Sequence, residues 1–89
     1  MASKKVVPIK MLRYIRTLDK EKVKELLSDH VVIRKSRGLN QYNICTKMDT
    51  HQSIISAIEN HPSMQTPVML ARYVNAVREL SRSGELIPD

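Results

Sequence analysis

The sequence predicts an all-α domain, and three observations carry that reading. Its 89 residues allow one modest core and leave no room for a second domain. There is no Trp or Phe and there are three Tyr. The core must then be built from Ile, Leu, Val, Met and Ala, which suits packed helices better than a sheet of aromatic cross-strand pairs. The apolar residues also recur mostly three and four apart, the spacing of one helix face.

Residues 1–7 read as a flexible basic arm carrying Lys4 and Lys5, ended by Pro8, whose fixed φ is tolerated in the first turn of a helix. Ile9, Leu12 and Ile15 then repeat with Lys10, Arg13 and Arg16 opposite, a short amphipathic helix. Thr17 or Asp19 can cap a second helix with Val23, Leu26 and Leu27 on its apolar side, expected to end near Ser28. Residues 8–29 are therefore expected to form an N-terminal helical extension. The run "HVVIRKSRG" is open by itself. Val31, Val32 and Ile33 favour a strand leading into a hairpin, and the rival is a helix to Arg37 stopped by Gly38.

The stretch "QYNICTKMDTHQSIISAIEN", residues 41–60, decides that question for helices. Ile44 and Met48 form one apolar stripe and Ile55 and Ile58 another, with small Cys45 placed where two short helices can cross. Asp49 between them tolerates a left-handed or turn backbone, and its carboxylate can cap the second helix, with Gln52 three residues on as in a capping box. If Ile55 and Ile58 point inward, then Gln52, Ser53, Ser56 and Ala57 point outward. Their amide, hydroxyl and methyl groups match base edges in a major groove. After Pro62, Thr66 as N-cap and Pro67 at the first helical position open the clearest helix, with Leu70, Tyr73, Val74, Val77 and Leu80 on one side. Gly84 closes it, and residues 85–89 are a tail.

Charge and chemistry narrow the function. Residues 1–48 hold 12 Lys and Arg against 4 Asp and Glu, a net of +8, whereas residues 49–89 net −2. Such asymmetry is the footprint of a protein that meets polyphosphate, although a merely solvated surface gives it too. One cysteine, Cys45, forms no internal disulfide and fits a reducing cytoplasm; it sits on an apolar stripe without a base in reach, so it reads as core rather than nucleophile. His30, His51 and His61 have no metal spacing. No apolar run approaches a membrane span, and the start lacks an apolar stretch long enough for a signal peptide. No enzyme, cofactor, metal site or membrane association is expected.

Residues 30–77 resemble the helix-turn-helix signature of lambda-repressor and Cro-type proteins, the XRE family. The resemblance is carried by "RGLNQ", by Cys45, by the set Ile44, Met48, Ile55 and Ile58, by "HQS" and by the closing "IEN". "TPVMLARYVNAV" is similar to the following helix in small phage repressors and in antitoxins of that family. The resemblance implies a Cro-type domain over residues 30–84, with the recognition helix at 51–60. It implies that Gln41 holds a phosphate with the free N–H groups of its helix, that Gln52 and Ser53 make the main base contacts, and that Ser56 and Ala57 add to them. Thr50, His51 and Asn60 would touch the DNA backbone, as would the arm lysines Lys4 and Lys5. It also implies an internal ion pair between Arg34 and Glu59. Asp49 and His61 stand where the family commonly has Gly, and the segment before residue 30 has no counterpart in the pattern.

The function so implied is a sequence-specific DNA-binding regulator, cytoplasmic and at the nucleoid, binding a palindromic operator in double-stranded DNA as a homodimer. Repression by occluding a promoter is its simplest mechanism. The competing reading is an antitoxin that neutralises a toxin and represses its own operon, or an adaptor that works through protein contacts. Its motive is the apolar stripe of residues 8–29, which must cover something.

Overall fold

The computed structural model describes residues 8–83 as five α-helices and one 3-10 turn, with no strand among the described residues. The helices are α1 (Ile9–Arg16), α2 (Lys20–Ser36), α3 (Gln41–Met48), α4 (Gln52–Asn60) and α5 (Pro67–Ser83), with the turn at Pro62–Met64 between α4 and α5. The proposed arm and tail, with Lys4, Lys5 and Gly84, lie outside the described residues. None of these helices is long and apolar enough to cross a membrane.

Each helix end has a local cause. The Asp19 carboxylate accepts from Lys22 N–H at 2.9 Å, so Asp19 is the N-cap of α2. The expectation that this helix ends near Ser28 is wrong: α2 continues to Ser36. Nothing at Ser28 or Asp29 breaks it, and Val31 and Ile33 are accepted because both lie half-buried against the core, where packing outweighs their strand preference. The stop is Gly38, at φ +73°, where Gly38 N–H reaches Lys35 O at 3.1 Å and Leu39 N–H reaches Arg34 O at 3.0 Å. That pair of bonds is the left-handed ending Gly favours. The division drawn between residues 29 and 30 thus falls inside one continuous helix.

Helix α3 opens with a reciprocal cap in which Asn40 Oδ1 accepts from Asn43 N–H and Asn43 Oδ1 accepts from Asn40 N–H, both at 2.8 Å. It closes as α2 does, with Asp49 N–H to Thr46 O and Thr50 N–H to Cys45 O, but here the left-handed residue is Asp49 at φ 58°, ψ 53°. Asp49 therefore ends α3 instead of capping α4, correcting the sequence expectation; the N-cap of α4 is His51, with no side-chain bond. An Asp is among the few side chains that tolerate this backbone. His61, at φ −136°, needs no glycine. Thr66 Oγ1 accepts from Met69 N–H at 3.2 Å at the start of α5.

Helix α5 is the centre of the fold and packs against α1, α2, α3 and α4. Its Tyr73, Val74 and Val77 are fully buried together with Leu27, Ile44, Met48, Ile55 and Ile58. Arg72 Nη2 donates to Met48 O, fastening α5 to the end of α3. Between α3 and α4 the stripes meet as their spacing predicts, with buried Cys45 beside them. Cutting one of those isoleucines to Ala costs ~2–5 kcal/mol, so the angle between the two helices is firmly held. Helix α1 lays Leu12 and Ile15 on α5, while Ile9, expected on the same stripe, is exposed.

Candidate functional site

The candidate site has a buried half and an exposed half, both built on α4. In the buried half Glu59 sits where α2, α3, α4 and α5 converge, its side chain 8% exposed. Arg34 Nε donates to its Oε2 at 2.6 Å and Arg34 Nη2 to its Oε1 at 3.0 Å, so the expected pair is present and two-pronged. Two further donors were not foreseen: Tyr73 Oη reaches Oε2 at 2.6 Å and Gln41 Nε2 reaches Oε1 at 2.9 Å. Each carboxylate oxygen thus accepts two bonds, which fills its usual capacity. Arg34 also spends Nη1 on Leu39 O at 2.8 Å, bracing the turn from α2 into α3.

These contacts decide the protonation states. Burial pushes the Glu59 carboxyl upward, but the bonds from Arg34, Tyr73 and Gln41 outweigh it and hold the group below its usual range, as carboxylate. Burial likewise opposes the charge on Arg34, and Glu59 more than offsets it, so the guanidinium is raised. For Tyr73, burial and the adjacent carboxylate both push the phenol up, leaving it a neutral donor.

In the exposed half, Gln52 and Ser53 face solvent at the start of α4, with His51 beside them and Asn60 at the far end. Gln52 Nε2 lies 3.4 Å from Gln41 Oε1, which links the exposed amide to the buried carboxylate through Gln41. Ser56 and Ala57 are only half-buried rather than fully outward, and Ser56 Oγ accepts from Asn60 Nδ2 at 3.2 Å. The outward face is therefore narrower than expected. It consists chiefly of Gln52 and Ser53, since Ser56 and Ala57 are partly covered. Thr50 is half-buried, its N–H committed to Cys45 O. Gln41 is half-buried as well; its Nε2 already serves Glu59, and the second N–H of that amide is what remains for a phosphate.

A second polar contact lies on the other side of α5. His30 is 4% exposed, with Nδ1 at 2.8 Å from Leu26 O and Nε2 accepting from Arg78 Nε at 3.1 Å. A carbonyl only accepts, so Nδ1 carries the proton and the ring is neutral. Burial lowers its pKa from 6.5, Arg78 lowers it further, and the Leu26 carbonyl and Asp29 oppose them. Among the described residues, His, Cys, Asp and Glu nowhere gather in a group of three able to hold a metal. Neither the Tyr73 contact nor the His30 contact had a signal in the sequence, where both residues fit an apolar helix face or a lone histidine.

No protein-family model matches this chain, and neither a curated protein nor a solved structure matches it.

Proposed function

We propose that this chain is a sequence-specific DNA-binding regulator of helix-turn-helix type, with α3 and α4 as the motif and α4 as the helix entering the major groove. The observation that carries the reading is the two-sided build of α4. Ile55, Ile58 and Glu59 lock one side of a nine-residue helix, and the start of the other side presents Gln52 and Ser53 to solvent. A rigid helix with an exposed amide and hydroxyl at its N-terminal end suits direct readout of base edges. The basic excess of residues 1–48 suits the phosphates, whose neutralisation supplies most non-specific affinity.

In this reading Gln52 and Ser53 contact bases, Ser56 and Ala57 line the groove wall, and Gln41, Thr50, His51 and Asn60 meet the backbone. One such helix reads only a few base pairs, so the functional unit is a homodimer with its two recognition helices about 34 Å apart on a palindromic site. It represses by occluding a promoter. The rival reading, an antitoxin or adaptor acting through protein contacts, has its motive in the apolar stripe of residues 8–29, which must cover something; Leu12, Ile15, Val23 and Leu27 cover the chain's own core, and Ile9 is exposed.

Selection of bound sites from random duplex, followed by mobility shift at fixed salt, tests the proposal. Gln52→Ala is expected to erase the preference at one base-pair position, costing roughly 1–3 kcal/mol on the selected site and little on random duplex. His51→Ala is expected to weaken both duplexes alike. Equal losses on both duplexes for both variants would refute the assignment.

A further inference from the structure

We infer that the basic face of α1, continued into the cleft it shares with the turn after α4, holds phosphates of the duplex beside the groove that α4 enters. The inference rests on the DNA-reading role proposed above and deepens it. It gives the segment before α2 a nucleic-acid contact that the helix-turn-helix pattern does not contain.

Charge placement is the first ground. Lys10, Arg13 and Arg16 follow one another at three-residue steps along an eight-residue helix, all of them exposed, and residues 8–18 hold no Asp or Glu. None of the three has a carboxylate partner among the described residues. Side chains three apart are neighbours on a helix, so these cations repel one another, and a polyanion laid along them removes that repulsion. Arg13 and Arg16 also complement the C-terminal end of the helix dipole, but Lys10 stands at the positive end and gains nothing from it. In α2 the pattern differs. Lys20, Lys22 and Lys24 alternate with Glu21 and Glu25, and charges so mixed make an ordinary solvated face.

Position is the second ground. A cleft between the α1–α2 turn and the turn that follows α4 is lined by Arg16 and Lys20 on one side and by Ser63 and Gln65 on the other. Asp19 lies there too, with its carboxylate committed to Lys22 N–H at 2.9 Å. Ser63 comes soon after Asn60, the last residue of α4. Helix α4 has 9 residues, about 13 Å at ~1.5 Å per residue. The major groove is about 12 Å wide, so with Gln52 among the bases the far end of α4 comes to a strand bordering the groove. The cleft cations stand beside that end. A lipid surface fits α1 less well, because Leu12 and Ile15 are buried on α5 and leave little apolar side chain to enter a bilayer.

Salt dependence counts such contacts, because the logarithm of the binding constant falls against the logarithm of salt concentration with a slope of about 0.9 per neutralised phosphate. The experiment measures that slope for the full chain on selected and on random duplex. Lys10→Ala, Arg13→Ala and Arg16→Ala combined are expected to make it shallower by roughly 2–3 on both duplexes, while the base preference at the Gln52 position stays. Leu12 and Ile15 are untouched, so circular dichroism is expected to show wild-type helix content. Lys22→Ala with Lys24→Ala, on the mixed face of α2, is expected to change the slope by less than ~0.5. Lys10→Arg, Arg13→Lys and Arg16→Lys combined should keep the wild-type slope, since charge is what the phosphates meet. A wild-type slope in the triple alanine variant overturns the inference and leaves the DNA reading intact. An equal change in the α1 and α2 alanine variants also overturns it, because net charge alone would then be acting. So does capture of the wild type, but not of the triple alanine variant, by anionic phospholipid vesicles when the slope on duplex is the same for both. A wild type that selects no motif overturns the DNA reading itself.

Discussion

Arg34 and Glu59 join α2 to α4 with side chains 7% and 8% exposed, whereas Lys47 and Glu79 join α3 to α5 at 3.0 Å with both side chains 43% exposed. The two pairs use the same chemistry, and their environments give them different roles. At the rim, water solvates each partner almost as well as the other partner does, so the contact is interchangeable with solvent. At the centre, neither charge has water to return to, and four hydrogen bonds take its place. A buried pair of this kind stabilises little compared with apolar packing, but half of it is ruinous. Its value is geometric, because it specifies how four helices meet beneath the exposed face of α4.

The comparison breaks most visibly at Glu59. Glu59→Ala strands the Arg34 guanidinium and leaves the Tyr73 hydroxyl without its acceptor, and an unpaired buried charge of this sort typically costs ~3–5 kcal/mol. For a domain of this size that corresponds to a fall in Tm of well over ~10 °C. Urea denaturation measures it, and a loss near that of a surface pair would mean that Glu59 is solvated after all.

Stability against pH separates the buried groups from each other. His30 has its folded pKa lowered from 6.5, so the unfolded chain binds the extra proton first. Its contribution is complete above pH 6.5 and drains away as pH falls below it. The folded pKa of Glu59 is lowered from 4.5, so its contribution survives to more acid conditions and is lost only as pH falls from there through the folded value. Thermal melts between pH 7.5 and 5 are therefore expected to show a declining Tm that His30→Gln flattens. A slope that persists in that variant would place the titrating group elsewhere.

The smallest effect is expected at the rim. Lys47→Ala should change the unfolding free energy by no more than ~0.5 kcal/mol, and less in high salt. A loss above ~1 kcal/mol would show that exposure does not govern the worth of these pairs.

How much of this was legible in the sequence follows from the range of each interaction. Apolar spacing along 41–48, 52–60 and 67–80 is local, and it marked α3, α4 and α5 together with their buried residues. The Asp49 break was legible too, but its partners were not: a left-handed residue can end one helix or precede the next, and only the bonds to Thr46 and Cys45 decide. Local propensity leaves Val31 to Ile33 open between strand and helix and so gives no sign that the helix runs on past Ser28; tertiary packing carries it to Ser36. Ser56 and Ala57 were assigned outward from helical phase alone, and phase does not fix how far a helix sinks into its neighbours. Least legible were the bonds from Gln41 and Tyr73 to Glu59, which span 18 and 14 residues and leave no periodic trace.

The central claim is that the N-terminal face of α4 is what meets DNA. The most direct measurement is nuclear magnetic resonance of the 15N-labelled protein, with a duplex selected from random sequence added at fixed salt. The account predicts that the largest perturbations fall on the side-chain amides of Gln52 and Gln41 and on the backbone of residues 50–56. Perturbations that spare Gln52 and Ser53 while another surface responds would contradict it.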